Sequence, residues 1–166
     1  MILMDASMYV EASFSLTSSA AVLEWDYLFL WSNAMDYKQK AIDHFSRDRF
    51  SIETTGVKIE KVEENYCLCS LAIEDKHLNA NDFVMGGAIF TLADYAFGVA
   101  ANSPEENCVT LSSTMNFMRP TKGPVLYAEA RCVKNGRTIA FFDVTVTEPD
   151  GKVIASAQIS GFRAAK

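Results

Sequence analysis

One carboxylate lies inside a strongly apolar stretch of this 166-residue sequence. Residues 86–101 read GGAIFTLADYAFGVAA, and Asp94 is the charged residue among them. No Lys or Arg occurs between Lys76 and Arg119, so the neighbouring sequence offers no salt bridge. An ionised carboxylate in apolar surroundings is costly unless it is paired or hydrogen-bonded. Asp94 is therefore either satisfied by a distant part of the fold or used as a catalytic base or nucleophile.

Two glycines stand at the start of the same stretch. The first N–H groups of a helix have no intrahelical acceptor, and the helix dipole favours negative charge there. Gly86 and Gly87 would also let a substrate approach the backbone closely. An oxyanion that develops on a carbonyl needs such donors. Together with Asp94 about two turns further on, these glycines predict acyl-transfer hydrolysis.

The elements that must position these groups follow from periodicity. Residues 36–50 predict a helix, and residues 88–101 predict a second helix that is apolar nearly all round. Asn135-Gly136 and Pro149-Asp150-Gly151 predict hairpins. The predicted strands cover residues 57–62, 66–73, 109–118, 125–134, 138–147 and 152–162. Because a helix of this kind belongs inside a curved sheet, we predict an α+β fold in which one antiparallel sheet wraps around a long central helix.

Two segments resemble a known family. Residues 79–94, NANDFVMGGAIFTLAD, resemble the signature of the PaaI-like hot-dog thioesterases, N-x-x-G-x-x-H-G-G followed by L-x-D. Residues 110–123, TLSSTMNFMRPTKG, resemble the strand that follows the helix in that family. The likeness covers roughly residues 36–163. It implies a hot-dog domain over residues 35–166 that hydrolyses acyl- or aryl-CoA thioesters to the free acid and CoA.

The resemblance also implies roles for single residues. Asp94 matches the catalytic carboxylate, acting as nucleophile or as general base on water, and the backbone N–H of Gly86 matches the oxyanion donor. Asn79 matches the asparagine that positions water or substrate from the facing subunit, with Asn81 as the alternative amide. Thr110 falls where the family often has Ser or Thr near the carboxylate. The family further implies a homodimer with joined sheets and interface active sites, assembled into a homotetramer.

Departures from the family pattern keep a second function open. Met85 stands where the family usually has His, and Asp82 where it usually has Gly. The loss of that His favours the alternative of a non-catalytic acyl-CoA-binding protein. A hot-dog dehydratase ranks last, because His44 and His77 both lie off the central helix. We interpret His77 as a solvated loop residue.

A CoA thioester carries phosphates, so cations are expected near the mouth of the site. Arg119, Lys134 and Arg137 are the candidate phosphate-binding residues, beside Gly87 for close substrate approach. The alternative for Lys134 and Arg137 is that they keep a hairpin soluble. No metal-ligand spacing is present, so we expect no metal and no cofactor. The acyl preference of the enzyme stays open.

Composition sets further limits. The net charge of −6 argues against nucleic acid as a partner. No apolar run reaches the roughly 18–20 residues that span a bilayer, and the N-terminus lacks the basic start of a secretory signal. We therefore expect a cytoplasmic protein without membrane contact. The cysteines predict ordinary buried thiols, with Cys67 and Cys69 on one face of a strand.

Residues 1–34 differ in composition from the rest of the chain. They contain four acidic residues, no Lys or Arg, and both tryptophans. We interpret them as an N-terminal extension that precedes the domain. The competing hypothesis is that translation begins at Met35, which directly precedes the first predicted helix. Mass spectrometry of the native protein distinguishes the two, since a peptide from residues 1–34 excludes the later start.

Overall fold

Six strands and a long helix account for most of the fold. The computed structural model describes residues 37–104 and 107–164. Residues 37–45 form helix α1, and residues 50–55 form a π-helical segment. The remaining elements are β1 (Val57–Glu63), β2 (Tyr66–Ala72), a short 3-10 helix (Asp75–His77), α2 (Gly86–Asn102), β3 (Cys108–Phe117), β4 (Val125–Asn135), β5 (Ile139–Thr147) and β6 (Val153–Arg163).

The strands form a single antiparallel sheet in the order β1-β2-β4-β5-β6-β3. Both predicted hairpins are confirmed: residues 136–138 join β4 to β5, and residues 148–152 join β5 to β6. Gly151 has φ 84°, a left-handed backbone that glycine adopts without strain. The sheet order leaves β3 and β1 as its two edge strands.

Helix α2 is the centre of the core. Nine of its seventeen residues are buried, and they pack on the inner face of the sheet, where Leu71, Leu126, Val144 and Ile154 are fully buried. The rings of Phe97 on α2 and Phe142 on β5 meet edge to face with centroids 5.3 Å apart. The predicted α+β hot-dog fold is confirmed.

Helix α2 runs antiparallel to β3, and both of its ends are fixed against that strand. At its start, a Cβ placed on Gly86 would lie 3.4 Å from the ring of Phe117 at the end of β3. At its end, the Asn102 side chain donates to the carbonyl of Cys108 (2.9 Å) and accepts from the N–H of Cys108 (2.8 Å). The middle of α2 is thereby held beside the first half of β3.

Some boundaries differ from the prediction. Helix α1 ends at residue 45 instead of residue 50, and the chain turns before the π-helical segment, which Gly56 terminates at φ 85°. Cys67 and Cys69 are buried free thiols on one face of β2, as predicted, with their sulfurs 3.4 Å apart. The predicted extension, residues 1–34, lies outside the described residues. Within the described ranges, no helix is long and apolar enough to cross a membrane.

Candidate active site

Asp94 and Thr110 meet across α2 and β3. The hydroxyl of Thr110 donates a hydrogen bond of 2.9 Å to Oδ1 of Asp94. A β-bulge between Thr110 and Ser112 places Leu111 as the extra residue of β3. Such bulges re-aim side chains and are common beside active sites. Among the described residues, the side chain of Asp94 therefore has one hydrogen-bond partner, a hydroxyl, which belongs to the Thr that the family resemblance implied.

The surroundings of Asp94 favour its neutral form. Burial raises the pKa of this half-buried carboxyl above its usual range. The hydrogen bond from Thr110 acts in the opposite direction and lowers the pKa, whereas the negative charge of Asp48 raises it further. A carboxylate whose pKa is raised towards the working pH is a better general base than a fully solvated one.

A cleft of about 210 Å³ opens beside Asp94. Its walls come from three parts of the chain: the end of α1 with the turn after it, the middle and end of α2, and the start of β3. The lining residues include Phe45, Asp48, Tyr95, Gly98 and Val109. The carboxylate of Asp94 is therefore accessible to a small group from outside the chain.

The start of α2 presents two backbone donors. Met85 is the N-cap; its N–H donates to the carbonyl of His77 (2.8 Å), and its own carbonyl accepts from Ala88 and Ile89. Gly86 and Gly87 are the first two helical residues, so their N–H groups have no intrahelical acceptor. Across residues 37–104 and 107–164, no acceptor is found for either group. Both are available to an incoming carbonyl oxygen.

Asn79 organises the loop that precedes α2. Its Oδ1 accepts from the N–H of Asn81 (2.9 Å) and of Phe83 (3.2 Å), and its own N–H donates to the carbonyl of Phe83 (2.8 Å). Its side-chain oxygen is therefore occupied, and its exposed amide can offer only its NH₂ group to a ligand. Asp82, where the family usually has Gly, has φ 58°. Asp is one of the few other residues that tolerate this left-handed backbone.

His77 is not the solvated loop residue that the sequence suggested. It is 4% exposed. Its Nδ1 accepts from the N–H of Glu74 (2.9 Å), so Nε2 carries the proton that is donated to the carbonyl of Thr55 (2.8 Å). The prediction was wrong because the backbone before β1 covers this loop, which a polar local sequence does not reveal. His77 ties the start of β1 to the loop and, through its carbonyl, to Met85.

The predicted site residues fall into two groups within one chain. Gly86 and Asp94 are eight residues apart on one helix, which corresponds to about 12 Å along its axis. A carbonyl bound at Gly86 is therefore out of reach of the carboxylate of the same chain.

The predicted cations are divided in the same way. Arg119 follows β3, and its N–H donates to the carbonyl of Ile154 at the end of the sheet where α2 begins. Lys134 and Arg137 flank the β4–β5 hairpin at the opposite end of the sheet from Arg119. Arg163, at the end of β6, donates a 2.6 Å hydrogen bond to Asn135 of this hairpin. All three cations are exposed. They do not form one cluster within a chain, because Arg119 lies at one end of the sheet and the other two lie at the opposite end.

Two residues near these groups were missed by the sequence reasoning. Asp48 lines the cleft of Asp94, and Arg163 lines a second cleft of about 280 Å³ together with Arg137. Arg163 donates to the carbonyl of Ala101 (3.1 Å) as well as to Asn135, so it is held in place. Neither residue stands in a local motif, and only the tertiary fold brings each to its site.

Comparison with known proteins places these features in a family. The model of the family described as "Thioesterase superfamily" matches residues 81–155. The Escherichia coli protein "Acyl-coenzyme A thioesterase PaaI" is 29% identical over 101 residues, covering 60% of this chain and 72% of that protein. The human "Acyl-coenzyme A thioesterase 13" is 33% identical over 95 residues, covering 55% of this chain and 68% of that protein.

Solved structures agree with the fold. The structure of the E. coli PaaI protein superposes on this fold with a TM-score of 0.73 and 24% sequence identity, and the aligned region covers 80% of this chain and 96% of the PaaI chain. A hypothetical thioesterase from Streptococcus pneumoniae, solved with coenzyme A, covers 74% of this chain and 98% of its own, with a TM-score of 0.68 and 26% identity. Two further structures are of variants of that thioesterase: one has an aspartate replaced by alanine, and the other has a threonine replaced by alanine. The two replaced positions are 16 residues apart in sequence, the same separation as between Asp94 and Thr110.

Proposed function

The chain belongs to the thioesterase superfamily and is a PaaI-like hot-dog thioester hydrolase, and we propose that it hydrolyses acyl-coenzyme A thioesters at sites shared by two copies of itself. The observation that carries this proposal is the half-buried carboxylate of Asp94, held by the hydroxyl of Thr110 at an open cleft. The matching separation of the aspartate and threonine replaced in the S. pneumoniae thioesterase supports Asp94 as the reacting carboxylate and Thr110 as the residue that orients it.

Strand β3 is the surface through which we propose that the copies pair. It is an edge strand of ten residues, and a long exposed edge is a template for another strand. Apolar side chains are exposed along it and just after it: Val109, Leu111, Phe117 and Met118. Antiparallel pairing of β3 with β3 of a second copy joins the two sheets by a two-fold axis. A tetramer of two such dimers stays a prediction from the sequence.

Two-fold pairing through β3 would bring together the groups that are far apart within one chain, both the oxyanion donor with the carboxylate and the separated cations. If it is centred on β3, the end of that strand in one copy lies beside the start of the strand in the other. The start of α2, with Gly86, then approaches the partner's Asp94. Arg119 is brought by the same operation towards the end of the partner that carries the partner's Lys134 and the partner's Arg137. One symmetry operation thus assembles the predicted oxyanion donor, base and cations around a single substrate.

The proposed chemistry uses protein groups and water. The thioester carbonyl accepts a hydrogen bond from the N–H of Gly86, where the α2 dipole stabilises the developing oxyanion. The partner's Asp94, oriented by its Thr110 neighbour, either removes a proton from the attacking water or attacks the carbonyl itself and forms a mixed anhydride that water then hydrolyses. In both routes the C–S bond breaks, and the proton released by water balances the departing thiolate. The free NH₂ group of Asn79 donates to the water or the substrate. CoA leaves as the thiol, and we propose no metal or resident cofactor.

Contacts with CoA follow from charge. The nucleotide part of CoA is anionic, and Arg119, Lys134 and Arg137 are exposed cations at the ends of the strands that flank the proposed site. Gly87, without a side chain, allows the pantetheine arm to pass close to the start of α2. We propose that these residues bind substrate and that the cations act on KM more than on kcat.

A thiol-release assay over a panel of CoA esters tests the carboxylate. Asp94→Asn is expected to lower kcat at least about a hundredfold, the usual effect of losing a general base. Asp43→Asn, which removes an exposed carboxylate from α1, is the matched control and is expected to keep full activity. Equal rates in wild type and Asp94→Asn would refute the role of Asp94. A wild type that binds CoA esters and hydrolyses none would establish the binding-protein alternative that Met85 raised.

Mixing two inactive variants tests whether the sites are shared. Gly86 is the first residue of α2, where proline fits a helix, and Met85 already has the extended backbone (φ −63°, ψ 136°) that a following proline requires. Gly86→Pro therefore removes the N–H with little other change, and Gly86→Ala is the control that keeps it. Refolding Gly86→Pro with Asp94→Asn should restore about a quarter of the wild-type rate, because half of the dimers are mixed and each holds one intact site. No restoration would refute the shared site.

A further inference from the structure

Asp48 approaches Asp94 because α1 packs on the middle of α2. The ring of Phe45, at the end of α1, meets the ring of Tyr95 edge to face with centroids 5.5 Å apart. The same ring would lie 3.6 Å from a Cβ placed on Gly98, an ordinary contact distance, so the end of α1 lies directly against this turn of α2. The turn that follows α1 thereby brings Asp48 into the lining of the cleft that also contains Asp94.

The carboxylate of Asp48 is fixed in this position. Its Oδ2 accepts from the hydroxyl of Ser51 (3.1 Å) and its Oδ1 from the N–H of Ser51 (3.4 Å). Its backbone N–H donates to the carbonyl of Phe45 (3.0 Å), and its carbonyl accepts from Ile52 (3.1 Å). Because both its carboxylate oxygens and its backbone are hydrogen-bonded, Asp48 holds its charge at a fixed position in the wall of the cleft.

The other ionisable groups of the cleft carry no charge near neutral pH. They are Tyr95 on α2 and Cys108 on β3, and burial raises the pKa of both above their usual values. Among the described residues that line the cleft, none is a Lys or an Arg. Asp48 therefore supplies the charge that Asp94 faces across the cleft, and no cation there compensates for it.

We propose that Asp48 is a positioning residue for thioester hydrolysis, whose fixed negative charge in the shared cleft strengthens Asp94 as the base. This inference rests on the proposed role of Asp94. Two like charges in one cleft oppose each other's ionisation, so Asp94 holds a proton more readily than it would alone. The pKa of Asp94 is raised mainly by burial, and the charge of Asp48 adds to that effect. The ionised Asp94 consequently takes a proton from water with a larger driving force.

The test compares Asp48→Asn with two controls. Asn keeps an oxygen for the N–H of Ser51 while removing the charge. Asp43→Asn removes an exposed charge on α1 outside the cleft, and Asp48→Glu keeps the charge in place. We expect the acidic limb of the kcat/KM profile to move to lower pH in Asp48→Asn and to stay at its wild-type position in both controls. The plateau rate of Asp48→Asn should fall, since the base is weaker.

A carbon NMR titration of the side-chain carboxyl of Asp94, assigned by its loss in Asp94→Asn, gives a readout independent of turnover. Its midpoint should move to lower pH in Asp48→Asn and not in Asp43→Asn. If Asp48→Asn folds but leaves both the NMR midpoint of Asp94 and the acidic limb of the kcat/KM profile unchanged, while Asp94→Asn is inactive, the role of Asp48 is refuted and the proposed function stands. Full activity of Asp94→Asn would instead overturn the proposed function and, with it, any catalytic role for Asp48.

Discussion

Replacing Thr110 with valine removes one hydrogen-bond donor from Asp94 and little else, since the two side chains have nearly the same shape. The hydroxyl of Thr110 lies 2.9 Å from Oδ1 of Asp94. A hydrogen bond to a charged group contributes about 1.5–3 kcal/mol, and the exposure of Thr110 places this bond at the lower end, because water competes for the carboxylate. If the bond orients the base in the transition state, about 1.5 kcal/mol corresponds to a loss of about tenfold in kcat/KM.

The pH dependence gives the same change a second signature. The bond from Thr110 lowers the pKa of Asp94, against the larger opposite effect of burial. Thr110→Val therefore raises that pKa further, and the acidic limb of the kcat/KM profile moves to higher pH. The direction is opposite to that expected for Asp48→Asn, so one variant tests an increase and the other a decrease in the pKa of Asp94.

The assay is thioester hydrolysis measured across pH for wild type, Thr110→Val and Thr110→Ser. Serine keeps the donor, so its profile should lie close to the wild type. Circular dichroism and thermal melts check that both variants fold. Identical profiles for the valine and serine variants over the whole pH range would refute the reasoning, because the hydroxyl would then have no effect on the base.

Three further outcomes follow from the packing and charge of the fold. His77→Phe leaves the buried carbonyl of Thr55 and the N–H of Glu74 without their partner and should lower the free energy of unfolding by about 1–3 kcal/mol in urea titrations. Gly161→Ala places a methyl group against the sulfur of Cys108 and a buried ring, and should cost about 1–3 kcal/mol, whereas Gly87→Ala meets only ordinary contacts. The pKa of Asp94 is raised in the folded protein, so folding favours the protonated form of this side chain. Its contribution to the free energy of unfolding is therefore fully present below the pKa of the unfolded chain and is lost as the pH rises through the pKa of the folded protein. Asp94→Asn should accordingly have a higher melting temperature than wild type at neutral pH and an equal one in acid.

The elements of the fold were predictable from the sequence where their signals are local. Asn135-Gly136 and the turn at Gly151 mark hairpins through backbone preferences that neighbouring residues do not change. The alternation of buried positions along β5 follows the period of a strand. The sheet order was not predictable in this way. The pairing of β3 with β6, and of β2 with β4, joins strands far apart in sequence, and no local residue preference specifies which of these strands become neighbours.

The sequence pointed to one contact of the candidate site. Asp94 stood out as a carboxylate in an apolar helix, and the family resemblance indicated Thr110, whose hydroxyl the fold brings to that carboxylate. Asp48 was missed, because its approach depends on how α1 packs against α2. The distance between Gly86 and Asp94 did follow from the sequence, since helical rise alone gives about 12 Å. In the proposed mechanism, that distance requires the two groups to come from different chains.

Met85 shows which part of the family signature the geometry of this site requires. Its side chain is 54% exposed and makes no capping hydrogen bond to the helix. Its backbone does the positioning: the N–H binds the carbonyl of His77, and the carbonyl accepts from the first turn of α2. Because His77 is itself fixed by two hydrogen bonds, the direction of the N–H groups of Gly86 and Gly87 does not depend on the side chain at position 85. Replacing the usual His by Met removes a polar neighbour of the proposed oxyanion site but leaves the two backbone N–H groups in place, and an enzyme that relies on those donors can retain hydrolysis.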